Sequence, residues 1–334
     1  MKLPPYALLL ALLLVAAPAR ADGAIETGAV PPHWYEGAAD CKTAREPPLQ
    51  IQGYNAHTYI LRESLCSTFE APFMVLLVGA DQALLIDTGD VADSTKMPLA
   101  KSLVQLLPYH AHVRLPLLVV HSHRHLDHRA GDPQFQNLPN TQIVPFDLDG
   151  LRSYYGFKDW PNGTAQIDLG GRIVDVIPAP GHNPTELVFY DRNTALLFSG
   201  DFLLPGRLLV EDLDAYRASA DRVAAFVKDR PVSAVLGGHV EKDAAGGLFD
   251  WESQYHPQEG SPALSKDDVL GLPQALARFN GFYGSSGSYV IMNPGRDLLG
   301  IAAAAVAAAG ILLLLLVRWR RRRKAGRQRQ ALPA

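Results

Sequence analysis

The chain has 334 residues, 48% hydrophobic and 19% charged, a composition that argues against a disordered protein and allows one large core with additions. Its formal net charge of −3 hides an uneven distribution. Eight of the 31 Lys and Arg lie in the last seventeen residues and two in the first 21, so 22–317 sets 21 basic residues against all 34 acidic ones, a net of −13. An acidic body argues against nucleic acid as a partner, because phosphate binding needs a basic surface.

The chain opens with Lys2, an apolar run from Tyr6 to Ala17, and Ala19-Arg20-Ala21 before Asp22, the pattern of a secretory signal occupying 1–21. Residues 22–53, rich in Pro, Gly and Ala and without a period, read as a linker or extended arm. A domain is expected over 54–255, where short apolar runs alternate with amphipathic stretches in an α/β manner. Within it, Phe73 to Val78 and Ala83 to Ile86 form a predicted hairpin around Gly79-Ala80-Asp81-Gln82. Pro98 to Leu107 reads as a helix with proline near its first turn. A stronger helix starts at an Asp212 cap, carries Leu213, Tyr216, Val223, Phe226 and Val227 on one face, and stops at Pro231. Residues 256–297 read as a juxtamembrane segment, and a further helix candidate, Ser265 to Phe279, is interrupted or kinked at Pro273.

Leu298 to Val317 is a run of twenty uncharged residues. At about 1.5 Å per residue it spans a hydrocarbon core of about 30 Å. Arg318-Trp319-Arg320-Arg321-Arg322-Arg323-Lys324 follows, opening the basic tail 318–334. The positive-inside bias puts that tail in the cytoplasm and the acidic body across the bilayer. The expectation is a single-pass bacterial inner-membrane protein, in contact with lipid through 298–317 and with its domain in the periplasm. Two cysteines are too few for a disulfide scaffold or a thiolate metal cluster. In an oxidising compartment Cys41 and Cys66 can pair; two independent buried thiols are the alternative, and spacing does not decide between them.

Five apolar, strand-like runs each lead into a polar residue able to ligate or support a metal. They precede Asp87, the His121–His128 segment, His182, Asp201 and His239. Strands sharing a direction would bring these ends to one edge of a sheet. In His123-x-His125-x-Asp127-His128, alternate positions of extended backbone share a face, so His123 and His125 reach one ion. Asp127 and His128, across a turn, serve a second. Imidazole and carboxylate suit zinc and also iron or manganese. A solvated histidine-rich loop is the bland alternative, but four candidate ligands in six residues, with three more after separate strands, favour metal.

These elements, Leu85-Ile86-Asp87-Thr88-Gly89, His123-Arg124-His125-Leu126-Asp127-His128 with Gly131, Pro180-Gly181-His182, Phe198-Ser199-Gly200-Asp201 and Gly238-His239, resemble the metallo-β-lactamase-fold hydrolases in kind and order over about residues 54–240. The resemblance implies a four-layer αββα sandwich with a two-metal site at one edge. It assigns His123, His125 and His182 to the first metal, Asp127, His128 and His239 to the second, and Asp201 as the bridge. Asp87 is similar to the family's acid that orients the ligand loop. His121 lies outside the motif and reads as structural. Asp201 stands where many β-lactamases of this fold have Cys or Ser, which is more like the lactonases, thioesterases and phosphodiesterases. Asn183-Pro184-Thr185-Glu186 replaces the usual small-residue turn, and Glu186 is expected at the surface or a strand edge. Trp251, Tyr255 and His256 have no counterpart in the resemblance; they shape a pocket or belong to a stalk.

The chemistry so implied uses two Zn2+ ions, with Fe or Mn as alternatives, about 3.5–4 Å apart and sharing a water whose pKa falls toward about 7. The bridging hydroxide attacks an ester, lactone, thioester or related bond of a small-molecule substrate, with Asp127 and Asp87 in catalytic roles. Asp201 disfavours the competing β-lactam hydrolase. A di-iron redox protein on the same scaffold is disfavoured because no flavin module or second redox domain follows. A non-catalytic metal-binding ectodomain is disfavoured by seven filled ligand positions.

Overall fold

A computed structural model describes residues 24–110 and 112–330; the expected signal at 1–21 lies outside them. In chain order the first half contributes β1 (Leu49–Asn55), β2 (Thr58–Glu63), β3 (Phe73–Val78), β4 (Ala83–Ile86), α1 (Leu99–Leu103), a small hairpin β5 (Tyr109–His110) and β6 (Val113–Arg114), then β7 (Leu117–Val120), β8 (Thr141–Ile143) and α2 (Leu148–Tyr155). The second half contributes β9 (Ala165–Asp168), β10 (Ile173–Pro178), β11 (Leu187–Asp191), β12 (Leu196–Gly200), β13 (Arg207–Leu209), α3 (Leu213–Val227), β14 (Ala234–Gly237), β15 (Ala263–Leu264), α4 (Lys266–Arg278), β16 (Tyr283–Ser286), β17 (Tyr289–Met292) and α5 (Pro294–Gln330).

Two six-stranded sheets result, ordered β1-β2-β3-β4-β7-β8 and β15-β14-β12-β11-β10-β9. Their central strands are apolar on both faces, as strands buried between two layers must be. In β3, Phe73, Val75 and Leu77 point into the inter-sheet core, where they meet Val174, Val176, Phe189 and Phe198. The alternate residues Met74, Leu76 and Val78 pack instead with Leu99 and Leu103 of α1. On the far side, Val188, Leu197 and Val235 pack under α3 (Tyr216, Val223, Val227) and α4 (Val269, Leu272, Leu276). The layers are therefore helix, sheet, sheet, helix, the αββα sandwich expected.

β4 pairs parallel with β7, and β12 parallel with β14. β10 and β12 each run antiparallel to β11 and so share a direction. The carboxyl ends of β4 and β7 in one sheet, and of β10, β12 and β14 in the other, carry the five polar endings. Asp212 caps α3 by accepting from the N–H groups of Asp214 and Ala215. α1 is shorter than the predicted 98–107 helix, and α4 runs through Pro273 without interruption behind a Ser265–Asp268 capping box.

Two boundaries differ from the expected ones. The arm 22–53 contains the edge strand β1 from Leu49, and its Trp34 ring packs edge-on to Phe73 with centroids 4.9 Å apart. Cys41 and Cys66 form a disulfide, Cα to Cα 5.2 Å. The segment 256–297 supplies β15 to the second sheet, α4 to the outer layer, and β16 and β17, which pair with β13. Its apolar helix face, not its overall polarity, decides its place. α5 is long and apolar enough to cross a membrane by length and composition, and it includes the expected span 298–317.

The disulfide closes a loop of about 25 residues, worth roughly 3 kcal/mol through the entropy of the unfolded chain. Cys41→Ser should lower Tm by roughly 6–10 °C in a scanning melt, with the metal content of the folded protein unchanged.

Candidate metal centre

β7 ends at Val120, the chain bends through Ser122, His123 and Arg124, and His125 (φ −62°, ψ 154°) is extended before Leu126–His128 closes one tight turn. That break divides the motif. His123 and His125 lie before the turn and meet His182 after β10; Asp127 and His128, within it, meet His239 after β14. The candidate ligand atoms of each set, the second including Asp201, lie within 4.8 Å of one another.

In the first set His125 Nδ1 is 3.1 Å from His182 Nε2. The His123 ring stands edge-on to both, with centroids 4.5 and 4.9 Å away. In the second set Asp127 Oδ2 is 3.2 Å from His128 Nε2 and 3.3 Å from His239 Nε2. Asp201 lies between the sets: Oδ1 is 3.5 Å from the Nε2 atoms of both His128 and His239, and Oδ2 is 3.6 Å from His182 Nε2.

The outer nitrogens fix where the lone pairs point. His239 Nδ1 donates to the Glu70 carbonyl at 2.6 Å and His182 Nδ1 to the Leu209 carbonyl at 3.0 Å. His128 Nδ1 faces Asp87 Oδ2 at 2.9 Å. When neutral, each ring therefore carries its proton outward and aims Nε2 inward. His123 Nε2 and Asp201 Oδ1 are buried with no hydrogen-bond partner, a costly arrangement for groups that nothing else satisfies. Inward lone pairs, two carboxylates and orphaned buried acceptors fit divalent cations of the zinc, iron or manganese type.

Electrostatics agrees. Burial opposes charge on His239, but Asp201 and Asp127 override it and raise its pKa to about 10. Burial likewise opposes charge on His128, and Asp127, Asp201 and Asp87 override it. The carboxyls of Asp127 and Asp201, despite burial, are held well below the usual range, chiefly by His128 and His239. Positive charge is what the second set stabilises, whereas burial, with the neighbouring histidines, lowers the pKa of His123 and His125 and keeps their lone pairs free.

Asp87 closes β4 in the left-handed region, φ 66°, a conformation an aspartate tolerates better than most side chains. Its Oδ1 accepts from Ser122 N–H at 2.6 Å, and its Oδ2 from the Ser122 hydroxyl at 2.8 Å. It sits behind His128, so it acts through that ring; the expected catalytic role is better described as positioning. His121 contacts Asp132 Oδ1 at 2.8 Å and stays out of the cluster, as expected.

Glu186 corrects its expectation. It is fully buried immediately before β11, with Oε1 accepting from Asp201 N–H at 3.1 Å and Oε2 3.4 Å from His123 Nδ1. Burial, reinforced by Asp201, raises its pKa well above the carboxylate range. The Asn183 side chain makes the turn that buries it, accepting from Thr185 N–H and hydroxyl at 3.1 and 3.0 Å. Gly200, at φ 51°, is needed there, since a Cβ would lie 2.6 Å from Ser122 Cβ and 2.7 Å from Glu186 Oε1. Asn183 Nδ2 is 2.9 Å from His125 Nε2, which places this turn residue against the first set.

Residues 68–239, just over half the chain, match the family model of the Metallo-beta-lactamase superfamily. The chain belongs to that superfamily. Its relatives include the acyl-coenzyme A thioesterase MBLAC2 of Homo sapiens, 27% identical over 219 residues, covering 55% of this chain and 78% of that protein. The hydroxyacylglutathione hydrolase of Aeromonas hydrophila is 26% identical over 165 residues, covering 48% of this chain and 59% of that protein. Among solved structures, the metallo-beta-lactamase from Pontibacter korlensis aligns with TM-score 0.48 at 16% identity, covering 69% of this chain and all of that one.

Two cavities open on the centre of this metallo-beta-lactamase superfamily member. One, of about 120 Å3, is lined by Asp201, His239, Phe249, Trp251 and His256. The other, of about 500 Å3, is lined by His125, Asp127, His182 and Asp201. Trp251 and His256 thus shape a pocket, while Tyr255 lies outside both.

Since Asp201 touches both sets, Asp201→Ala should reduce bound metal at both sites. His239→Ala should remove about one ion per chain and leave the first set loaded. Elemental analysis of the purified variants reads this directly.

Proposed function

We propose that the chain is an exported, membrane-anchored hydrolase that uses two metal ions, zinc foremost, to cleave an ester, lactone, thioester or related acyl bond of a small molecule. The observation that carries this reading is the shared carboxylate of Asp201, which faces His182 through one oxygen and His128 and His239 through the other. Bound there, two cations would supply Lewis acidity toward the acyl oxygen and activate water for attack.

The protein's own groups would do the rest. Asp127, kept ionised by His128 and His239 against its burial, orients the incoming water as a hydrogen-bond acceptor. A carboxylate that weakly basic is poor at storing a proton, so its contribution is positional. Asp87 holds the proton of His128 on Nδ1 and leaves Nε2 for the cluster. The names of two relatives, an acyl-coenzyme A thioesterase and a hydroxyacylglutathione hydrolase, support acyl-bond cleavage. A bridging aspartate, where many β-lactamases of the fold have Cys or Ser, disfavours β-lactams.

Metal-loaded protein, assayed on lactones, aryl esters, thioesters, phosphodiesters and β-lactams, should prefer an acyl substrate by kcat/KM. β-Lactams leading the panel would overturn the subgroup, and turnover of phosphodiesters alone would overturn the acyl assignment.

The signal pattern of 1–21, the apolar part of α5 and the Arg-rich end after it support a body in the bacterial periplasm and a cytoplasmic tail. Protease added to spheroplasts should digest the body and spare 318–334; the reverse pattern would overturn the topology.

A further inference from the structure

The larger cavity has two walls of different character. One is the metal centre, with His125, Asp127, His182 and Asp201; the other is Asn293, Pro294 and Gly295, where β17 passes into the first turn of α5. The uncharged run begins at Leu298, three residues beyond Gly295, which is about 4.5 Å along a helix. Less than one helical turn separates the reaction cavity from the surface expected to lie in lipid.

Two aromatic side chains mark the same level. Phe282 and Tyr283 are 46% and 50% exposed, although large aromatics usually bury much of their surface. Asn293 N–H donates to the Phe282 carbonyl at 3.2 Å. The Phe282 ring lies beside Gly300, where an added Cβ would stand 3.6 Å from its Cε1. Exposed aromatic rings flanking the start of an apolar span suit the water–lipid interface.

The rest of the lining restricts the chemistry of an occupant. Leu209 and Val210 give it an apolar side, and its titratable residues besides the two histidines are Glu70, Asp127, Asp201 and Glu211, with no Lys or Arg. With Asp127 and Asp201 offset by bound cations, Glu70 and Glu211 remain; a head group bearing several phosphates would meet these two acids with no basic side chain in the lining to pair with it, whereas an uncharged one needs none. A volume of about 500 Å3 is that of a small-molecule site.

We propose that the substrate is an uncharged amphiphile, an acyl ester or lactone, taken from the surface of the bilayer that holds α5. Its carbonyl reaches the cluster while its hydrocarbon remains at the foot of the helix. The inference rests on the reading of the chain as a membrane-anchored acyl hydrolase.

The test uses the full, metal-loaded chain in vesicles of ether-linked phosphatidylcholine, which carries no acyl ester, with the palmitoyl ester of a neutral chromogenic alcohol in the same bilayer and the acetyl ester of that alcohol in the water. Adding vesicles of the same ether lipid without the palmitoyl ester should leave palmitoyl-ester turnover unchanged, since the substrate arrives from the enzyme's own membrane. A fall in proportion to the dilution would overturn the inference. Two EAAAK repeats inserted between residues 297 and 298 would lift the body by about 15 Å where helical. Palmitoyl-ester turnover should then drop about tenfold or more through lost positioning, with acetyl-ester turnover retained as the check on folding; equal palmitoyl-ester turnover would overturn the inference. If the native chain cleaves the acetyl ester but not the palmitoyl ester, the membrane route is wrong and the hydrolase reading stands. If it cleaves neither, both fall.

Discussion

The candidate centre depends on one buried carboxylate, that of Asp87. It accepts from the Ser122 amide and hydroxyl and from His128 Nδ1, with hydrogen bonds to a charged group contributing on the order of 1.5–3 kcal/mol each. These contacts tie the end of β4 to the loop after β7, set the tautomer of His128, and thereby aim His128 Nε2 at Asp127 and Asp201. The parallel pairing of β4 with β7 brings the two ends together. Without that pairing Asp87 would be an unpaired buried acid, and without Asp87 the ligand loop would lose its anchor.

The second cavity wall is held by a similar economy of charge. Arg62 pairs with Glu259, both nearly inaccessible, and Glu259 Oε1 also meets His256 Nδ1 at 2.8 Å. The His256 ring stacks on Phe249 with centroids 4.0 Å apart. A buried ion pair is weak evidence for stability, because desolvation cancels much of its attraction. Its consequence here is geometric: the segment after His239 is pinned to the first sheet, so Phe249 and Trp251 face the centre.

The features legible in the sequence are those governed by local pattern. The doubly buried strands read as continuous apolar runs, the Asp212 cap marks the start of α3, and the spacing of His123, His125, Asp127 and His128 separates them into the same two groups of side chains that the fold brings together. What escaped was set by long-range packing. Glu186 looks like a turn residue beside Pro184 and Thr185, and only the meeting of β11 and β12 with the ligand loop places it under His123 and Asp201. Trp34 is an isolated aromatic in a Pro- and Gly-rich arm, and its burial requires Phe73, 39 positions away. Residues 256–297 are polar overall, yet Val269, Leu272 and Leu276 share the helix face that docks on the second sheet.

Glu186 and the histidines together explain how such a charged cluster stays folded by its own resources. The carboxylates of Asp127 and Asp201 hold protons on His128 and His239, whereas burial and the nearby Asp201 disfavour a further negative charge on Glu186. Protons thus occupy the electrostatic place that a cation would take. A divalent ion entering the proposed second set must release the His239 proton, whose pKa of about 10 keeps it bound at neutral pH. The sign follows: each unit of acidification below that value costs about a factor of ten in apparent affinity per proton displaced. An ion arriving beside His123 would favour the ionised form of Glu186, whose Oε2 lies 3.4 Å from His123 Nδ1. That carboxyl would then stand behind His123 as Asp87 stands behind His128. Each set would thus have one histidine backed by a buried acid, which explains why a glutamate is tolerated in the fully buried position before β11.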